Sequence, residues 1–215
     1  SSYTDTIDYI TIATPGNAVD FGNLTVARSA ISACSNGTRG VFSMGQGDDN
    51  TIDYITIATT GNATDFGNTS SSRDWSAACS DGTRGVFAGG GGDVIDYITI
   101  ATPGNAVDFG NLSSTRYSAG ACADATRGVI AGGMLVNIIE YITIQTAGNA
   151  TDFGDLTQAR AETAACSSVT RGVITGGYIN PRSDVIDYIT IQTLGNAVDF
   201  GNLTVARSAI SACSN

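Results

Sequence analysis

The run Ile95-Asp-Tyr-Ile-Thr-Ile-Ala-Thr102 alternates, with Ile95, Tyr97 and Thr99 on one side and Asp96, Ile98 and Ile100 on the other. A period of two dominated by β-branched residues predicts a strand. Three short segments of the same kind surround it. Arg73-Asp-Trp-Ser-Ala-Ala-Cys-Ser80 is built of small residues, Thr83-Arg-Gly-Val-Phe-Ala-Gly-Gly90 ends in a glycine pair, and Asn105-Ala-Val-Asp-Phe-Gly-Asn-Leu112 carries an aromatic. Turn-forming residues punctuate every junction, as in Ser80-Asp-Gly82 and Pro103-Gly-Asn105. No window shows a period of 3.6, so no helix is expected.

This set of segments recurs along the chain. Tyr9, Tyr54, Tyr97, Tyr141 and Tyr188 mark the repeats, in steps of 45, 43, 44 and 47 residues. Asp-Phe-Gly, with Phe at 21, 66, 109, 153 and 200, and Cys at 34, 79, 122, 166 and 213 keep the same steps. Four short strands in ~45 residues is the pattern of a β-propeller blade. The expectation is therefore an all-β, five-bladed propeller occupying residues 1–215 as one domain. The segment Thr-Arg-Gly-Val occurs only four times, with Arg at 39, 84, 127 and 171, so nineteen strands are expected instead of twenty. The chain starts at a third strand and ends after a first strand. Closure by N- and C-terminal strands would place residues 208–214 in one blade with residues 6–13. That blade lacks its second strand, so either it is irregular, or a neighbouring chain supplies the strand in a homo-oligomer, or the ring is not closed. Residues 16–36 and 195–215 are identical, which reads as recent duplication or as deliberate engineering for the study of propeller evolution.

The order Val86-Phe-Ala-Gly-Gly90, Tyr97, Phe109, Arg116 resembles the kelch repeat, with Phe where kelch repeats usually carry Trp and a weaker glycine pair at Ser43-Met-Gly45. The fuller wording, Thr-Arg-Gly-Val-Phe-x-Gly-Gly followed by Ile-Asp-Tyr-Ile-Thr-Ile-x-Thr-x-Gly-Asn-Ala-x-Asp-Phe-Gly, is similar to repeats in marine cyanophage structural proteins. The resemblance covers the whole chain. It implies a virion location, after synthesis in the host cytoplasm, and carries over no catalytic residue.

Composition narrows the function. Ten Arg, no Lys, no His and twenty acidic residues give a net charge of −10. Absent His removes the commonest general base and metal ligand, and absent Lys removes Schiff-base chemistry and a P-loop. The acidity argues against nucleic acid as a partner. No apolar run is long enough for membrane insertion, and Ser1-Ser-Tyr-Thr-Asp5 does not read as a signal peptide.

The remaining motifs have bland readings. One Cys per repeat, on a strand of small residues, reads as close packing rather than a metal ring. Arg39, Arg84, Arg127 and Arg171, with Asp53, Asp96, Glu140 and Asp187, read as a structural network repeated in every blade, with Arg84 expected against acids. Asp-Phe-Gly lacks the rest of the kinase set. Seven glycosylation sequons, at Asn23, Asn36, Asn62, Asn68, Asn111, Asn149 and Asn202, mostly follow from the repeat itself. Gly47-Asp-Asp-Asn50 lacks the ligand spacing of a calcium loop. No cofactor, metal or catalytic residue is expected, and the chain reads as non-enzymatic. Variation between repeats gathers in the loops, making Trp75, Tyr117, Met134, Leu135 and Tyr178 the candidate surface contacts. Two classes of function follow, a structural or interaction scaffold and a lectin-like module for a glycan or receptor. Aromatics scattered over different loop positions favour the scaffold.

Overall fold

A computed structural model describes residues 3–46 and 50–214 of the chain. The loop residues Gly47–Asp49 lie outside the described residues. Every regular element is a β-strand, and no helix forms among the described residues. A hairpin of β1 (Thr4–Tyr9) and β2 (Val19–Arg28) opens the chain. Four antiparallel four-stranded sheets follow, each a meander in chain order. The first holds β3 (Ser32–Ser35), β4 (Arg39–Ser43), β5 (Thr51–Thr56) and β6 (Thr64–Asn68). The second holds β7 (Ala77–Ser80), β8 (Arg84–Ala88), β9 (Gly92–Thr99) and β10 (Val107–Arg116). The third holds β11 (Gly120–Ala123), β12 (Arg127–Ala131), β13 (Ile138–Thr143) and β14 (Thr151–Asp155). The fourth holds β15 (Ala164–Ser167), β16 (Arg171–Thr175), β17 (Val185–Thr190) and β18 (Val198–Asn202). The architecture is an all-β, propeller-like array.

Local chemistry sets the turns. Between β7 and β8, the Asp81 carboxylate accepts hydrogen bonds from the backbone N–H groups of Thr83 and Arg84, each at 2.8 Å. That Asx turn fixes the hairpin. The apolar cores lie between neighbouring sheets. Ile95, Phe109 and Leu112 of the second sheet belong to one cluster with Ile130, Ile142 and Ile144 of the third. Both faces of β9 are therefore covered, and Ile95 and Ile98 are buried although they point to opposite sides.

A bulge prepares each joint between sheets. In the β9–β10 ladder Asp108 faces Asp96 and Gly110 faces Ile95, so Phe109 is the extra residue. Its carbonyl turns to the next sheet and accepts the Gly148 N–H at 2.7 Å. A Cβ on Gly110, where φ is +143°, would come 2.5 Å from the Gly148 carbonyl oxygen. Only glycine permits that approach.

The expected closure is not formed. Residues 203–214 carry no strand, and no sheet joins them to β1. They lie along the fourth sheet, where Leu203 N–H donates to Asp184 O at 2.6 Å and Ser214 Oγ donates to Ser167 O at 2.7 Å. Among the described residues eighteen strands form where nineteen were expected. The physical reason is the missing second strand. A ladder needs a neighbour at ~4.8 Å, and the absent strand leaves none on that side.

Candidate functional site

Four of the repeats carry two arginines with separate tasks. Arg28, Arg73, Arg116 and Arg160 are buried and face Asp53, Asp96, Glu140 and Asp187. The contacts of Arg28, Arg116 and Arg160 measure 2.8, 2.7 and 2.8 Å. Arg73 also donates to the carbonyls of Gly89 and Val94, at 2.9 and 2.7 Å. The acids are further held by neighbours such as Thr157, whose hydroxyl donates to Asp187 at 2.6 Å. Burial pulls Arg73, Arg116 and Arg160 below the ordinary arginine range, and the facing carboxylate offsets part of that. These acids are engaged in holding the sheets.

Arg39, Arg84, Arg127 and Arg171 lie over the rings of Tyr54, Tyr97, Tyr141 and Tyr188, at 4.3–4.5 Å from the ring centres. Arg84 was expected against acids, and the register explains the difference. Arg84 pairs with Thr99, so it shares a face with Tyr97, while Asp96 points the other way. Arg39, Arg84 and Arg127 also reach the next sheet, donating to the carbonyls of Ile100, Ile144 and Ile191 at 3.0–3.1 Å.

All five cysteines are free thiols. Four of them, Cys79, Cys122, Cys166 and Cys213, line one cavity along the innermost segments. Burial pushes the Cys34 and Cys79 thiols up to about 12 and raises Cys122 and Cys166 as well. Thiols held protonated in this way are poor nucleophiles and poor metal ligands. Among the described residues, no group of three His, Cys, Asp or Glu side chains is placed to hold a metal ion.

At the opposite end, the innermost segments of all five repeats surround a second cavity of about 380 Å³. Ala30, Trp75, Ser118, Glu162 and Ala209 occupy equivalent places on its wall. Each has a φ of 52–56°, a left-handed conformation uncommon outside glycine. Backbone bonds link them in series, from Trp75 N–H to Ala30 O at 3.2 Å, Ser118 N–H to Trp75 O at 2.8 Å and Glu162 N–H to Ser118 O at 2.8 Å. The backbone of these positions is constant and the side chains differ. Ser118 and Glu162 were missed as site residues because they are neither aromatic nor apolar. Their signal was variation directly after the buried arginine.

The candidate contacts Trp75, Tyr117, Met134, Leu135 and Tyr178 are all partly exposed, at 37–49%. They belong to the links that enter the first strand or leave the second. Trp75 alone among them lines the axial cavity. Tyr117 accepts the Met134 N–H through its carbonyl, at 3.2 Å, which brings the Leu135 turn alongside. Tyr178 borders a separate cleft with Asn180, Pro181 and Arg182. The five residues thus form three groups and not one continuous patch. No protein-family model matches the chain, and no curated protein does either.

Proposed function

We propose that the chain is a non-enzymatic interaction scaffold, a five-bladed kelch-like propeller that makes its contacts through variable residues on one end of the array. The observation that carries this reading is how the recurrent reactive groups are used. Asp53, Asp96, Glu140 and Asp187 are buried in ion pairs, and the inner thiols are packed and protonated. Catalysis needs a nucleophile within reach of a base, and these groups are committed to holding sheets together. The resemblance to cyanophage repeats supports a place in a phage particle.

A second reading is favoured by one feature. Trp75, Ser118 and Glu162 share the axial cavity, and an aromatic face beside hydroxyl and carboxylate groups suits the apolar and polar faces of a sugar. A glycan array, with hits titrated through Trp75 emission, separates the two. Trp75 is the sole tryptophan, so its fluorescence reports this cavity alone. The scaffold reading expects no array binding and no change in emission. Glycan binding that disappears in Trp75→Ala would replace it with the lectin reading.

A further inference from the structure

Every joint between neighbouring units uses the same three hydrogen bonds. At the first, Gly61 N–H donates to Phe21 O at 2.7 Å, Ala63 N–H to Asn23 O at 2.8 Å, and Asn23 N–H to Asn62 Oδ1 at 3.1 Å. Gly104, Gly148 and Gly195 repeat the first bond with Phe66, Phe109 and Phe153, at 2.7–2.9 Å. Asn105, Asn149 and Asn196 repeat the side-chain bond at 3.0–3.1 Å.

The residues for a fifth joint are present, divided between the two ends of the array. Gly16-Asn17-Ala18 lies in the turn between β1 and β2, and Phe200-Gly201-Asn202 lies in β18. None of the three bonds forms between them. A Cβ on Gly22, Gly67, Gly110 or Gly154 would meet the next unit within 2.6 Å, yet one on Gly201 would meet nothing within 4 Å. Phe200 is 55% exposed, whereas Phe21, Phe66, Phe109 and Phe153 are 3–6% exposed.

A second contact, made at three of the four joints, is open at the same place. Ile12 is equivalent to Ile100, Ile144 and Ile191, whose carbonyls accept Arg39, Arg84 and Arg127. Those three isoleucines are fully buried, and Ile12 is 81% exposed. Arg171, which should reach Ile12 by the same pattern, makes no such bond.

We propose that the β1–β2 hairpin of one copy docks head to tail on the β18 end of a second copy, through Gly16, Asn17 and Ile12 against Phe200, Asn202 and Arg171. The two surfaces are uncovered at once in a single chain, so the chain's own hairpin does not fill its own socket. What fits that socket is already written in the chain: the glycine and asparagine bonds are displayed four times inside it, three of them with the arginine contact. The contact is heterologous, so successive copies either close into a ring or extend as a filament. It buries Phe200 and Ile12 and satisfies backbone groups that are otherwise left to water.

Sedimentation over a wide concentration range tests this, with two variants of opposite ends. Phe200→Glu places a charge in the socket and Ile12→Glu places one on the hairpin. Both side chains are exposed in the single chain, so both variants should keep the wild-type circular dichroism. Val107→Glu, at an exposed position equivalent to Thr64 and Thr151, serves as the control for added charge. The wild type and Val107→Glu should show a mass that rises with concentration, and each end variant should stay at the single-chain mass. Mixing the two end variants should restore a two-chain species, because each retains the end that the other has lost. A single-chain wild type at every concentration overturns the proposal. So does association that survives both substitutions, or a mixture that remains monomeric.

Discussion

Residues 16–36 and 195–215 have the same sequence, and residues 16–35 and 195–214 have different structures. In the first, β2 runs unbroken from Val19 to Arg28, Ser32–Ser35 forms β3, and Arg28 is buried against Asp53. In the second, the strand stops at Asn202 and nothing regular follows. Arg207, the counterpart of Arg28, is exposed and has no carboxylate partner among the described residues. The strings are equal, so the difference arises outside them. The first string meets a full sheet carrying Asp53 on β5. The second meets no such sheet. Strand formation here is decided by the neighbour that completes the ladder and covers the face, more than by local preference.

The largest test of this comparison substitutes counterpart arginines. Arg160→Met leaves Asp187 buried without its partner and should cost about 3–5 kcal/mol in urea denaturation. Arg207→Met should cost within about 0.5 kcal/mol, as an exposed substitution does. Equal costs would mean that the buried pair is not what distinguishes the complete sheets from the end.

Thiol labelling sharpens the same contrast, because Cys34 and Cys213 sit at matching places in the two strings. Cys213 is exposed and should react first. Burial, with Asp81 adding, pushes Cys79 up to about 12 against an ordinary value of ~8.5. Cys34 is raised to about 12 by burial, with Cys79 adding. Both should react much more slowly than Cys213 at pH 8. A folded-state value raised above the unfolded one gives stability that is fully present below ~8.5 and is lost as pH rises toward 12. Unfolding free energy should therefore fall across that interval, and fall less steeply in Cys79→Ala. Labelling of all five thiols at one rate would break the distinction.

The smallest effect compares the stacked arginines. Arg84 has both the Tyr97 ring and the Ile144 carbonyl, while Arg171 has the Tyr188 ring alone. Arg84→Met should cost about 1–2 kcal/mol, and Arg171→Met about half as much. A larger loss at Arg171, measured by thermal denaturation, would show that the end of the array is better packed than its interior.

Much of the fold was legible in the sequence because its signals are local. Alternation, β-branching and turn residues located the strands, and the spacing of Tyr9, Tyr54, Tyr97, Tyr141 and Tyr188 located the repeats. The partner of each acid was less legible. Arg73 and Arg84 both recur beside Asp96 in the pattern, and only the pairing of Arg84 with Thr99 decides which one shares its face. The left-handed backbone at Trp75, Ser118 and Glu162 was not legible at all, since none is glycine. The state of residues 208–214 depends on a strand that the repeat pattern lacks, and no property of those residues encodes it.

The joints between units have a consequence for how such a molecule can change. They are made from backbone amides and carbonyls, a glycine beside a bulge and one asparagine side chain, repeated in the same form from the hairpin to the fourth sheet. The positions that differ between repeats, from Ala30 to Trp75 to Glu162, hang from a wall whose backbone bonds do not consult the side chain. Diversity and assembly are thus written in separate residues. A new recognition surface can be drafted at the mouth of the cavity, one unit at a time, while the mechanism that fastens each unit to the next is left unedited.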